Sequence, residues 1–159
     1  MDTKETASLR SQLAEAMHGD QAHIAFASAI SDFPVEASGE KPGGAPHTAW
    51  QLLEHMRIAQ HDILEFSRNP QHQSPPWPEG YWPKTEAPPD DNSWGASVKA
   101  FESDSKEMEK LVRDAQQALF TPFAHGDGQN LMREALLIAT HNSYHLGQLV
   151  FLKKMLKPA

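Results

Sequence analysis

Two histidines separated by three residues, His141 and His145, are the strongest chemical signal in the sequence. Residues at positions i and i+4 of an α-helix project from the same face, so both imidazoles can bind one metal ion. Ile138, Leu149 and Leu152 extend that face, which is therefore expected to point into the protein. The alternative is a pair of core histidines that only form hydrogen bonds, because a buried imidazole needs a partner but not a metal.

A third histidine, His55, borders the apolar side of another predicted helix, three residues after Leu52 and four before Ala59. If the two helices cross or run antiparallel in a bundle, His55 can approach the pair on the later helix. Three protein ligands leave positions open for water or substrate. That arrangement is typical of catalytic zinc sites, whereas structural sites are closed by a fourth ligand.

Further side chains are candidates for contacts around such a site. Gln148 shares the face of the histidine pair, and Asp62 lies seven residues after His55, so each can either orient a ligand or simply pack in the core. His23 follows a break at Gly19-Asp20 and can supply an extra ligand, a hydrogen bond or a buried structural contact. His61 is expected at the surface.

Several other chemistries are excluded by the residues present. Asn142 follows His141 where the HExxH motif of zinc proteases requires a glutamate. The sequence has no GxSxG nucleophile motif, no phosphate-binding loop and no GxGxxG. It also has no cysteine, which excludes disulfides, thiolate nucleophiles and cysteine-bound zinc.

Length and charge narrow the class of protein. The 159 residues predict a single domain spanning residues 1–159. A net charge of −7 disfavours nucleic acids and anionic membranes as partners. No signal peptide and no transmembrane segment are recognisable, so a cytoplasmic protein is expected.

Apolar residues at helical spacing predict four long helical regions and no β-structure. Helices are expected over residues 4–17 and 21–31, either as one kinked helix or as two, with Asp20 as a possible cap between them. A third begins at the capping box of Thr48 and Gln51 and ends at Asn69-Pro70. The last two are expected over about 93–119 and from near Gly128 to about Leu156. The predicted fold is an all-α four-helix bundle.

The loop over residues 70–92 is unusual because it combines many prolines with three large aromatic residues. Proline excludes a helix or a central strand, while the aromatic side chains argue for an ordered loop packed on the bundle. Trp77 and Trp82 could form a lid over the site, or they could fill the core or a subunit interface. Trp50, at the start of a helix, is expected in the core.

Taken together, His55 in the segment 50–55 and the His141-x-x-x-His145 pair followed by Leu146-Gly147-Gln148 resemble the DinB-like superfamily. The resemblance covers most of the chain and includes the YfiT-type proteins described as metal-dependent hydrolases. It implies an up-down-down-up bundle, a zinc or nickel ion on His55, His141 and His145, and a homodimer. The superfamily is distinct from the DNA polymerase that shares its name.

The functional prediction is a metal-dependent enzyme that acts on a small molecule. Because three neutral ligands leave the metal its full charge, an anionic fourth ligand is favoured, and hydroxide or a low-molecular-weight thiol would meet that need. Hydrolase and thiol-dependent transferase chemistry are both consistent with such a site. The alternative is a non-enzymatic bundle, acting through a partner or in a stress response, whose metal is structural or opportunistic.

Overall fold

Five α-helices frame the protein in a computed structural model that describes residues 3–157. The four long helices pack as a bundle, and a short helix lies in the connection between the first two of them. No β-strand occurs within residues 3–157, so the all-α prediction is confirmed. The helices are α1 (Thr3–His18), α2 (Phe26–Ile30), α3 (Ala49–Arg68), α4 (Ser93–Arg113) and α5 (Leu131–Leu156).

Helices α3 and α4 run in the same direction. The Gln60 side chain donates to the Phe101 carbonyl at 2.7 Å, and about two turns further on Arg68 lies 3.8 Å from Glu107. Residue numbers that increase together along both helices require a parallel pair. A parallel pair needs a long crossover connection, and residues 69–92 provide it.

Two further helix pairs of the bundle are antiparallel. On α3 and α5, His55 lies against His145 while Gln60 lies against Asn142, so the numbers run in opposite directions. On α1 and α4, Arg10 donates to the Val112 carbonyl, and the later residue His18 reaches the earlier Glu109. The helices therefore run up, down, down and up, as the resemblance implied.

The long crossover is ordered by polar contacts with α3. The Trp50 indole donates to Thr85 Oγ1 at 3.0 Å, and Thr48 Oγ1 donates to the Glu86 carbonyl at 2.6 Å. Tyr81 donates its hydroxyl to Asp62 at 2.6 Å. These bonds hold the loop along the helix that carries His55, so the predicted packing of this loop on the bundle is confirmed.

The capping box predicted at the start of α3 is present. The Thr48 hydroxyl accepts from the Gln51 amide at 3.1 Å, and the Gln51 side chain accepts from the Thr48 amide at 3.0 Å. These two bonds satisfy amide groups that a helix start otherwise leaves unpaired. They fix the register of the helix that positions His55.

Three predicted helix limits are wrong, for local reasons. Helix α4 ends at Arg113 rather than near residue 119, because Asp114 accepts the Gln116 amide in a tight turn. Helix α5 begins at Leu131 rather than near Gly128, since Asn130 is the cap and accepts the Arg133 amide at 3.0 Å. Asp20 does not cap the second helix, which begins only at Phe26.

The core divides into two apolar clusters along the bundle. The closed end is formed by α1, the second halves of α3 and α4 and the first half of α5. The site end is formed by the first halves of α3 and α4, the second half of α5 and the region of α2. Between the two, Asn142 donates to Gln60 at 2.8 Å in a buried polar contact.

No helix within residues 3–157 has the length and apolar character needed to cross a membrane.

Candidate metal centre

The three predicted metal ligands lie together at the site end of the bundle. His55 comes from α3, whereas His141 and His145 come from successive turns of α5. The Nε2 atom of His55 lies 3.0 Å from that of His141 and 3.2 Å from that of His145. Potential ligand atoms of all three residues fall within 4.8 Å of one another.

The histidine cluster is enclosed by the bundle. His55 is 4% and His145 is 9% exposed, and His141 is partly buried. Among residues 3–157, no fourth histidine, aspartate or glutamate completes the group. The cluster thus offers three uncharged ligand atoms and leaves a further coordination position free of protein ligands.

The other nitrogen of two of these rings has a fixed role. His55 Nδ1 donates to the backbone carbonyl of Tyr81 at 2.9 Å, because a carbonyl oxygen can only accept. His145 Nδ1 likewise donates to Gln148 Oε1 at 2.8 Å. Each neutral ring carries one proton, so the Nε2 atoms of His55 and His145 both present a bare lone pair.

Two lone pairs that face each other at 3.2 Å repel unless a cation lies between them. Tetrahedral coordination with bonds of about 2.1 Å would place ligand nitrogens about 3.4 Å apart. The observed separations of 3.0 and 3.2 Å are close to that value. The donor set and its spacing therefore fit a divalent ion such as zinc or nickel.

The third ring is held differently. His141 Nδ1 is buried without a hydrogen-bond partner, and so is the Oδ1 atom of its neighbour Asn142. The other ring nitrogen of His141, Nε2, makes the polar contact of this side chain and lies 3.0 Å from His55 Nε2. The single proton of the neutral ring can lie on Nδ1, so Nε2 can present a lone pair to a metal ion in the cluster.

Burial controls the protonation of the cluster. Desolvation lowers the pKa of His55 and of His145, and it lowers the pKa of His141 to about 4, with the two neighbouring histidines adding to that shift. The rings are therefore neutral near pH 7. Neutral imidazole is the form that binds metal ions.

Trp82 covers one side of the cluster. Its ring stacks on His55 with centroids 4.0 Å apart and an angle of 3° between the planes. His47 also stacks on Trp82, with ring centroids 4.1 Å apart and an angle of 18° between the planes. The crossover loop thus supplies an aromatic wall next to the histidines, and the role of Trp82 as a lid stays a prediction.

The other proposed lid residue lies elsewhere. Trp77 is 75% exposed and packs edge-on against Tyr81 at 5.4 Å, away from the histidine rings. Its position does not cover the cluster, because the loop turns through Glu79–Tyr81 between the two tryptophans.

The remaining predicted contacts separate into three groups. Gln148 contacts His145 directly, as described above. Asp62 reaches the cluster only through Tyr81, whose hydroxyl it accepts and whose carbonyl holds His55. His23 bonds to Ser143 at 2.9 Å and contacts none of the three histidines. Trp50 is buried and His61 is exposed, as predicted.

Three contributors to the site were missed in the sequence. The Tyr81 carbonyl is a backbone group and leaves no residue signal. His47 stacks on Trp82, which lies far along the chain, so no local pattern in the sequence indicates this contact. Gln60 and Asn142 lie on inward helix positions, and polar residues there predict a buried pair.

Comparison with known protein families matches residues 18–149 to the DinB superfamily. The matched segment contains all three clustered histidines and the crossover loop. No curated protein and no solved structure matches the chain.

Proposed function

This chain belongs to the DinB superfamily, and on that premise we propose that it is a divalent-metal-dependent enzyme acting on a small molecule. One observation carries the proposal: three neutral imidazoles converge, and no fourth protein ligand lies among them in residues 3–157. A structural zinc site would be closed by a fourth side chain, whereas a catalytic site keeps a position open.

A divalent ion at this site would act as a Lewis acid that lowers the pKa of a water or thiol and so supplies a nucleophile near neutral pH. We propose zinc or nickel, because three imidazoles suit both ions. A low-molecular-weight thiol is one candidate cosubstrate, which gives transferase chemistry; water gives hydrolysis. The homodimer implied by the resemblance stays a prediction.

The residues around the cluster keep its geometry ready for metal. The Tyr81 carbonyl holds the proton of His55 on Nδ1, and Gln148 does the same for His145. Both rings then direct Nε2 toward the same point without reorganisation. Asp62 holds the Tyr81 side chain, so the carbonyl of that residue is fixed in turn.

Trp82 and His47 provide the second property that an enzyme of this kind needs. Trp82 stacks directly on His55 and His47 stacks on Trp82, so these rings cover one side of His55. Exclusion of water strengthens electrostatic interactions within a site and limits side reactions of a nucleophile. The position without a protein ligand is therefore expected to be approached from a restricted direction.

Metal analysis of tag-free protein tests the proposal. We expect about one ion per chain in the wild type after purification or reconstitution, and almost none in His55→Ala or His141→Ala. His61→Ala is the matched control, because His61 is exposed and contacts Asp104 rather than the cluster. It should retain the metal.

A reconstituted wild type without metal would overturn the proposal. The three histidines would then be core residues of a non-enzymatic bundle. If metal binds, hydrolytic and thiol-transfer substrates are screened with the loaded protein and with a chelated sample. Activity that survives confirmed metal removal would also contradict the proposal.

A further inference from the structure

A cavity of about 590 Å³ lies beside the histidine cluster. One wall is the segment 42–47, and the other is the second half of α5. Cavities that bind small molecules commonly span about 300–1,000 Å³. Its size therefore suits a small organic molecule or a large part of one.

The cavity shares side chains with the metal centre. Gln148 lines it and also accepts from His145. Tyr144 lines it as well, with its ring centroid 4.8 Å from that of His145. On the opposite wall His47 stacks on Trp82, which in turn stacks on His55. A molecule in the cavity would thus contact the immediate neighbours of the ligand histidines.

The wall of the cavity is uncharged and largely apolar. Its lining includes no aspartate, glutamate, lysine or arginine. The side chains that dominate it are Leu52, Tyr144, Phe151, Leu152 and Met155. Such a surface favours an uncharged, apolar or aromatic group and disfavours a charged one, whose desolvation nothing here would compensate.

Gly147 is a helical glycine that no close packing within the chain explains. It lies in the interior of the helix, where glycine is the least favourable residue after proline. A Cβ atom added there would have nothing within 4 Å, so no neighbour forces the glycine. The missing side chain leaves its space to the cavity, which Gly147 lines.

The opposite wall is shaped by backbone rather than by side chains. Gly43 and Gly44 have φ values of 60° and 75°, which residues with a Cβ rarely adopt. The turn they form is fastened to the crossover loop by the ion pair of Lys41 with Glu86. A backbone wall that faces the side chains of α5 gives a concave space, which suits a small molecule.

We infer that this cavity binds the uncharged, apolar part of the substrate. This inference rests on the proposed function. The substrate is then an amphipathic small molecule. Its anionic donor atom, such as a thiolate, faces the histidines, and its apolar tail lies between segment 42–47 and α5. Charged or strongly polar tails are excluded by the same wall.

The cavity is tested first without metal, using 1-hexanol as a neutral probe. In ¹⁵N-labelled, chelated protein we expect saturable shifts at the amides of Gly43, Gly44 and Gly147. Gly147→Leu should abolish them by filling the cavity, while leucine strengthens the helix. Gly95→Leu is the matched control, since that helical glycine also has nothing within 4 Å but lies on α4.

The second test uses metal-loaded protein and straight-chain thiols from ethanethiol to hexanethiol. Each added methylene should lower Kd about fourfold in the wild type and in Gly95→Leu. In Gly147→Leu the dependence on chain length should vanish, with metal content unchanged. Retained metal separates a blocked cavity from a damaged metal centre.

The outcomes distinguish this inference from the proposed function. Hexanol binding without any metal uptake would overturn the metal enzyme and keep the apolar cavity. Metal uptake with thiol affinities independent of chain length would overturn the cavity. The cavity inference would also be overturned by a dimer, detected by sedimentation velocity, in which Tyr144 and Phe151 are protected from solvent and hexanol does not bind. A second copy of the chain would then occupy this face.

Discussion

The two ends of the bundle differ in the residues that form their cores. At the closed end, Leu64, Met108 and Val112 are fully buried in an aliphatic cluster. Arg10 completes it by donating to the Val112 carbonyl at 2.6 Å, which satisfies the end of α4. At the site end, aromatic residues and long connections enclose a polar histidine cluster.

This difference separates stability from chemistry along one set of helices. Buried polar groups are costly unless they are partnered, and at the site end His141 Nδ1 and Asn142 Oδ1 are buried without a partner. The closed end contains the apolar packing that offsets such a cost. The same helices α3 and α5 extend from one end to the other, so each combines apolar packing at the closed end with metal-ligand candidates at the site end.

The largest expected effect is a cavity at the closed end. Leu64 is 0% exposed, so Leu64→Ala should lower the free energy of unfolding by about 2–5 kcal/mol. Metal content per folded chain should not change, since the residue lies beyond the polar contact of Gln60 and Asn142. Urea unfolding and elemental analysis of the same sample measure both quantities.

The reverse pattern is expected from His145→Ala, which should lose metal yet keep a folded apo bundle. Loss of metal in Leu64→Ala at a temperature where it is folded would show that the two ends are not independent.

A smaller effect is expected at the boundary between the ends. Gln60→Leu removes the acceptor of the Asn142 amide and leaves that group buried and unpaired. The expected cost is about 1–3 kcal/mol. The free energy of unfolding should be measured by urea unfolding of chelated protein, so that metal affinity does not contribute.

The double variant Gln60→Leu/Asn142→Leu sharpens this test. Replacing both partners by apolar groups can be nearly neutral, so the double variant should recover part of the stability lost in the single one. Additive losses would show that the pair does not act as a unit.

The bundle and its ligands could be predicted because their signals are local or periodic. Apolar spacing indicated the helices, the Thr48 capping box fixed the start of α3, and i, i+4 spacing paired His141 with His145. The joining of His55 to that pair depended on the family resemblance as much as on its helix face. The helix limits at Asp114 and Asn130 were missed because the apolar spacing continues beyond both residues. Their side chains accept backbone amide hydrogen bonds, which end α4 and begin α5.

The surroundings of the site were less predictable because they depend on contacts distant in sequence. Tyr81 acts through a backbone carbonyl, which every residue has. The two loop tryptophans have the same residue type, yet only Trp82 reaches the histidines. Which of them does so is decided by the path of the crossover loop, and that path is fixed by bonds to α3 rather than by local propensity.

The smallest expected effect is the pH dependence of stability measured in the metal-free protein. Folding lowers the pKa of His141 from 6.5 to about 4, chiefly by burial. The unfolded chain therefore binds more protons than the native state between these values, so stability is full above pH 6.5 and falls as the pH drops toward 4. Because the ring is only partly buried, we expect a loss on the order of 1 kcal/mol.

Urea unfolding of chelated protein at several pH values measures this loss of stability. His141→Leu should reduce this dependence, and the part that remains is expected from His55 and His145, whose pKa values burial also lowers. His61→Ala should keep the full dependence, and an unchanged slope in His141→Leu would place the titrating group elsewhere.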